Sequence, residues 1–180
     1  MKRIIVIGSS GSGKTTLTRK LGEKLGYPVV DFDDLYWQPG WKPAPFEEFF
    51  RLADQATSGP TWIVIDPNSF LRGVIWDRAD TIVWLDLPFW LMVRRLVRRS
   101  AWRIRVGEKI CNGNVETWDR FFSKDGLLVW LLRFFVRKRY SYAGIFASQQ
   151  GAPQKTYIRL RSVAEVQKFL EQAGDDSKIG

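Results

Sequence analysis

The chain has 180 residues, 45% hydrophobic and 26% charged, a composition and length that suit one globular domain with a real core. A single cysteine excludes an internal disulfide, and the lack of histidine argues against zinc and leaves general-base work to a carboxylate. The net charge is +9, all of it in one segment: residues 90–140 hold thirteen Lys/Arg against four Asp/Glu, whereas residues 1–89 hold ten against eleven.

Lys2 and Arg3 precede only four apolar residues, too few for a signal peptide, so a cytoplasmic chain is expected. The run Arg3 to Ile7 predicts a buried strand. It leads into Gly8-Ser9-Ser10-Gly11-Ser12-Gly13-Lys14-Thr15, which matches G-x-x-x-x-G-K-[ST] at every fixed position. Glycines let such a loop curl so that successive N–H groups point at phosphates, and the following helix N-terminus adds positive partial charge. Lys14 is expected on the β- and γ-phosphates of ATP and Thr15 on Mg²⁺, with Gly8, Ser9, Gly11, Ser12, Gly13 and Thr16 completing the nucleotide site. Leu17, Leu21 and Leu25 share one face of a helix from about Lys14 to Leu25, which Gly26 and Pro28 end.

Val29 to Phe32 reads as the second strand. Asp31 and Asp33, two apart, are then expected on one face at its carboxyl end, where ligands of parallel sheets bind. Asp33 is the expected partner of an acceptor hydroxyl, and Asp31, with Thr15 and Asp66 a metal-site candidate, is expected to hold a Mg²⁺-bound water or Thr15; the other reading is that strand-end aspartates form turns. Asp34, Trp37 and Trp41 follow as acceptor-site candidates, the tryptophans either stacking on the acceptor or packing a hinge. Pro45 opens a helix through Ala53.

Trp62 to Ile65 and Thr81 to Leu85 are apolar, β-branched runs that predict central strands. Asp66 ends the first of them and is the expected orienter of a Mg²⁺-bound water; Asp86, ending the second, competes for that role. Asn68 lies in the polar turn after Asp66. Beyond Pro88 a helix carries Arg94 with Arg98, and Arg95 with Arg99, on two faces. Only one pair can face a nucleotide, and Arg94 and Arg98 are assigned to neutralise charge on the transferred group. Arg103, Arg105 and Lys109 extend the cluster into weakly periodic residues, about 102–126, expected to form a lid that excludes water. Arg133 and Arg137-Lys138-Arg139 alternate with Trp130, Phe134, Phe135 and Tyr140. That pattern suits single-stranded nucleic acid but more often marks a core-facing helix. Leu127 to Val136 is about half the ~20 residues that span a bilayer, so no membrane segment is expected. Tyr157 to Leu160 predicts the last strand, and Ser162 with Glu165 a capping box on the last helix.

Several of these runs together resemble a known family: the phosphate loop, Asp33-Asp34-Leu35-Tyr36-Trp37 with Pro39-Gly40-Trp41, Trp62-Ile63-Val64-Ile65-Asp66, Arg78 through Pro88, and Ile158-Arg159-Leu160-Arg161-Ser162. They are similar to the bacterial DNA topology modulation (FlaR-related) proteins of the adenylate kinase-like P-loop group. The resemblance covers most of residues 1–172 and is weakest over 102–150. It implies an α/β, three-layer P-loop NTPase fold, with a five-stranded parallel sheet, helices on both faces and a short lid. It also carries over Gly11, Gly13, Lys14 and Thr15 as nucleotide and Mg²⁺ ligands and Asp33 as an acceptor-site residue. One domain, 1–172, with a frayed tail at 173–180, follows.

Asp66-Pro67-Asn68-Ser69 stands where that family usually has Asp-Gly-Asn-Tyr, and Pro67 lacks both the positive φ and the N–H of a glycine. Nucleoside monophosphate kinases hold the acceptor phosphate with an Arg soon after the second strand, yet no Arg occurs between Arg19 and Arg51. The sequence therefore points to ATP-dependent phosphorylation of a hydroxyl on a nucleoside, sugar or small acid. The alternatives are a nucleoside monophosphate kinase and a nucleotide-gated protein that binds nucleic acid through residues 90–140. The sequence leaves the oligomeric state open.

Overall fold

The computed structural model describes residues 1–65, 71–148 and 155–174. In chain order the elements are β1 (Arg3–Gly8), α1 (Lys14–Leu25), β2 (Val29–Asp31), α2 (Phe32–Tyr36), β3 (Trp37–Gln38), β4 (Lys42–Pro43), α3 (Phe46–Ala56), β5 (Trp62–Ile65) and α4 (Arg72–Arg78). They continue with β6 (Thr81–Leu85), α5 (Phe89–Val106), β7 (Lys109–Ile110), β8 (Asn114–Val115), α6 (Trp118–Phe122), α7 (Leu127–Ser148), β9 (Thr156–Leu160) and α8 (Val163–Gln172). Among the described residues no helix is long and apolar enough to cross a membrane.

β1, β2, β5, β6 and β9 form one parallel sheet in the order β2-β5-β1-β6-β9. Its strands are apolar at successive positions because both faces are covered. Ile5, Ile7, Val64, Ile82 and Trp84 pack against Phe49 and Ala53 of α3, Ile75 and Trp76 of α4, and Tyr142 of α7. Ile4, Val6, Ile63, Val83 and Leu85 turn the other way, onto Leu17 and Leu21 of α1 and Phe169 of α8. The three expected layers and the five parallel strands are therefore present. A smaller cluster of Leu96 on α5, Phe121 on α6 and Leu131 on α7 holds residues 107–126 against the sheet domain.

Two local expectations are revised. β2 stops at Asp31, and Phe32–Tyr36 turns as a short helix. Asp31 caps that helix, its carboxylate accepting from the Asp33 N–H at 3.1 Å, so the two aspartates do not share a strand face. The expected lid is ordered rather than irregular: α5 runs on to Val106, a two-stranded hairpin (β7, β8) follows, and α6 closes the segment. The capping box at Ser162 is present, with the Ser162 hydroxyl accepting from the Glu165 N–H at 3.1 Å. Residues 175–180, the greater part of the predicted frayed tail, lie outside the described residues.

Candidate functional site

The loop between β1 and α1 opens at the carboxyl end of the sheet. Gly11 has φ +80, and a Cβ on it would stand 2.3 Å from the Met92 carbonyl of α5. Only glycine lets that helix backbone lie so close to the loop. Gly13 caps α1 at φ +95, in the left-handed region, so the α1 N–H groups begin at Lys14 facing outward into the site. The Lys14 ammonium donates to the Gly8 carbonyl at 2.7 Å and the Ser9 carbonyl at 3.2 Å. The Ser12 hydroxyl is buried without a partner. A curled backbone, a helix N-terminus, an ammonium on the loop's own carbonyls and an orphaned hydroxyl are together what a triphosphate needs.

Ser10 through Leu17 line a ≈ 1000 Å³ cavity, and Asp31, Asp33, Asp34, Trp37 and Trp41 line it as well. Thr15 and Thr16 are exposed and reach this cavity, whereas Gly8 and Ser9 lie behind it. Burial, then the Asp33 and Asp34 charges, raise the Asp31 carboxyl to about 6. Thr15 and Asp31 also line a second, smaller recess together. A hydroxyl and a carboxylate placed there suit Mg²⁺, which takes few protein ligands and draws the rest from phosphates and waters.

The assignment of Arg94 and Arg98 is corrected. Both are exposed and neither lines the cavity, whereas Arg95, Arg99 and Arg103 do. The phase of α5 is fixed by its buried stripe, Met92, Leu96 and Ser100. Arg95 and Arg99 flank that stripe, while Arg94 and Arg98 sit on the far side of the helix. Arg95 comes within 3.7 Å of the position of a Cβ on Gly13, placing its guanidinium at the phosphate loop. Burial, and then the charge on Arg103, pull the Arg99 guanidinium below its ordinary value. Arg103 is held by Glu108 at 2.9 Å and Glu116 at 3.4 Å.

Above the cavity the β7–β8 hairpin meets the β3–β4 hairpin that follows α2. The Asn112 amide donates to the Asp34 carbonyl at 2.7 Å and the Trp37 carbonyl at 2.8 Å. Trp37 and Trp41 pack edge to face at 5.8 Å, and the Arg120 guanidinium lies 4.2 Å over the Trp41 ring. Arg120, Glu116 and Cys111 all line the cavity, and none of them stood out in the sequence. Burial and then the charges of Asp33, Asp34 and Asp31 push the Cys111 thiol up to about 12. The available sequence signal for this region was Asn112-Gly113, a dipeptide typical of tight hairpin turns; here both residues have positive φ.

Other sequence candidates fall elsewhere. Asp66 and Asn68 lie outside the described residues. Asp86 is buried at 2% side-chain exposure and accepts ion pairs from Arg139 at 2.8 Å and Arg159 at 2.6 Å. It ties α7 to β9 and is engaged as a structural anchor. In the second basic cluster Trp130, Phe134 and Phe135 are half-buried, whereas Tyr140 is exposed. Among the described residues Arg94, Arg98 and Arg105 enter no ion pair or hydrogen bond.

Comparison with known proteins adds to this geometry. A family described as "Ethanolamine utilisation - propanediol utilisation" (PduV-EutP) matches residues 1–32, which hold β1, the phosphate loop, α1 and β2. A chloroplastic shikimate kinase 2 of Oryza sativa subsp. japonica is 30% identical over 110 residues, 53% of this chain and 36% of its own length. Threonine synthase-like 1 of Pongo abelii is 28% identical over 118 residues, 57% of this chain and 16% of its own length. The chain thus spans only a minor part of these relatives. A crystal structure of shikimate kinase from Bacteroides thetaiotaomicron aligns over 98% of both chains with a TM-score of 0.55 at 15% identity. The chain therefore has the fold of a P-loop kinase: a five-stranded parallel sheet flanked by helices, with the phosphate loop after its first strand.

Proposed function

We propose that this chain is an ATP-dependent phosphotransferase that passes the γ-phosphoryl group to a hydroxyl of a small acceptor bearing an anionic group. One observation carries this reading: the phosphate loop and the Asp33–Arg120 wall line a single cavity. When bound, MgATP supplies the phosphoryl group and a metal to neutralise it. Lys14, now on the Gly8 and Ser9 carbonyls, would hold the phosphates, and the Thr15 hydroxyl and Asp31 would hold the metal or its water. Arg95 beside the loop, and Arg99 on the same cavity, balance charge on the moving group. The Asp33 carboxylate orients the acceptor hydroxyl and takes its proton. The lid residues between Gly107 and Gly126 keep water from competing with the acceptor.

Arg120 revises the sequence argument about the acceptor. The stretch from Arg19 to Arg51 lacks an arginine, but the fold brings one from far along the chain onto Trp41. A guanidinium laid on an indole and facing a cavity suits a carboxylate or phosphate. Asp33 and Asp34, which line the same cavity, suit hydroxyls and repel a second anion. Relatives named as shikimate kinases support a small-molecule acceptor in this reading.

Release of ADP is the test, measured across nucleosides, nucleoside monophosphates, neutral sugars and hydroxy acids. A hydroxylated anion is expected to raise turnover above a Lys14→Ala background. Stimulation by neutral sugars alone would remove Arg120 from the acceptor site, and no stimulation by any compound would sink the proposal.

A second reading rests on the outer face of α5, where unpaired Arg94, Arg98 and Arg105 lie with exposed Trp90 and Trp102. That surface suits nucleic-acid phosphates and bases, and the resemblance to DNA topology modulation proteins belongs with it. It predicts binding to single-stranded DNA that falls steeply with salt; no binding at low ionic strength disposes of it.

A further inference from the structure

The lid hairpin and the hairpin after β2 are each a pair of two-residue strands. Hairpins this short have little stability alone. They are joined to each other by side-chain amides. Asn114 is only 4% exposed, and its Oδ1 accepts from the Trp41 N–H at 2.8 Å. Its Nδ2 donates to the Gln38 carbonyl at 3.0 Å and to the Cys111 carbonyl. The Trp41 indole N–H adds a bond to the Val115 carbonyl at 3.2 Å. Trp41 has φ +57, a conformation that a bulky residue keeps only when its surroundings hold it. The Asn114 bond to its N–H is one such hold.

We infer that Asn114 is a positioning residue: it ties the lid to the acceptor wall, so that Trp41 and Arg120 take their places only while the β7–β8 hairpin is docked. Arg120 follows that hairpin directly, on α6, whose first turn is capped by the Thr117 hydroxyl accepting from the Arg120 N–H at 3.3 Å. Moving the hairpin therefore moves the guanidinium off the indole. The hydrogen bonds of Asn114 go to Trp41, Gln38 and Cys111 and not to the phosphate loop, so nucleotide affinity is expected to change little when it is replaced. The part of the inference that concerns the acceptor rests on the function proposed above; the tie itself does not.

Cys111 stands in the hairpin turn as the only cysteine of the chain, which makes it a native reporter. Alkylation by N-ethylmaleimide is followed by intact mass in the full chain and in Asn114→Ala and Asn114→Asp, beside affinity for magnesium mant-ATP. Asn114→Ala is expected to label about tenfold faster, because labelling tracks the opened fraction. Asn114→Asp keeps an acceptor for the Trp41 N–H but sets a buried carboxylate oxygen against the Gln38 and Cys111 carbonyls, and is expected to label at least as fast as Asn114→Ala. Mant-ATP affinity is expected to stay within about twofold, as for independent sites. An unchanged labelling rate overturns the inference. So does faster labelling with an equal loss of mant-ATP affinity, which would make Asn114 a general support of the fold. If the unaltered chain binds no mant-ATP, the nucleotide reading fails while the labelling comparison still judges the tie.

Discussion

The phosphate loop and the wall that completes its cavity are assembled in opposite ways. The loop is eight consecutive residues between a buried strand and an amphipathic helix, and its geometry follows from glycines and a helix terminus. The wall is gathered from three places: Asp31, Asp33 and Asp34 at the end of β2 and the start of α2, Trp37 and Trp41 at the next hairpin, and Asn112, Glu116 and Arg120 between β7 and the end of α6. Several of its bonds cross more than seventy residues of chain. A contiguous site is fixed by local chemistry and tolerates change around it. A gathered site depends on every piece that docks, so its substrate preference can drift while the loop stays constant.

Substitutions separate the loop from the wall. At the loop, Lys14→Ala is expected to lower turnover by about 10²–10³-fold, in line with removal of one preorganised donor, with weakened nucleotide binding in the mant-ATP titration. At the wall, Asp33→Asn is expected to lower kcat by about 10²-fold or more with mant-ATP affinity kept, the size of a lost general base. If Asp33→Asn weakened nucleotide binding as much as Lys14→Ala, loop and wall would not be separate sites. Arg120→Ala is expected to raise the acceptor KM by roughly tenfold to a hundredfold, the scale of one hydrogen bond to a charged group, with kcat nearly kept. Arg95→Ala against Arg94→Ala sharpens the division within α5. The first is expected to lower kcat/KM by at least about tenfold, and the second to stay within about twofold, as for an exposed side chain away from the site.

The smallest expected effect is on stability. In the ligand-free fold the Asp31 carboxyl is raised from 3.8 to about 6, mainly by burial. Between those values the folded chain keeps a proton that the unfolded chain has released, so stability falls as pH rises through that window and levels off above it. Asp31→Asn keeps the cap on α2 and should flatten this slope in thermal melts of the ligand-free chain. An unchanged slope would assign it to another group.

The contrast also explains what the sequence disclosed. The buried strands were legible because both sheet faces are covered, leaving unbroken apolar runs such as Trp62 to Ile65. The phosphate loop was legible because all its determinants are adjacent. For the arginines of α5, four-residue spacing identifies two pairs but not the pair that faces inward. The buried Met92 and Leu96 set that phase and select Arg95 and Arg99. Arg120 was out of reach because nothing near it in sequence indicates that it will lie on Trp41. Asp31 was expected on a strand face beside Asp33; it is instead a helix cap, a role that ends β2 one residue early.

The most direct measurement follows the γ-phosphoryl group itself. A mixture of small hydroxylated acids, including phosphorylated ones, is incubated with magnesium ATP labelled at the γ-position and with the unaltered chain, Lys14→Ala or Arg120→Ala. A new labelled phosphoester of one anionic acceptor is expected with the unaltered chain, absent with Lys14→Ala and diminished with Arg120→Ala. Label appearing only as inorganic phosphate, or an identical ester in the Lys14→Ala reaction, would contradict this expectation.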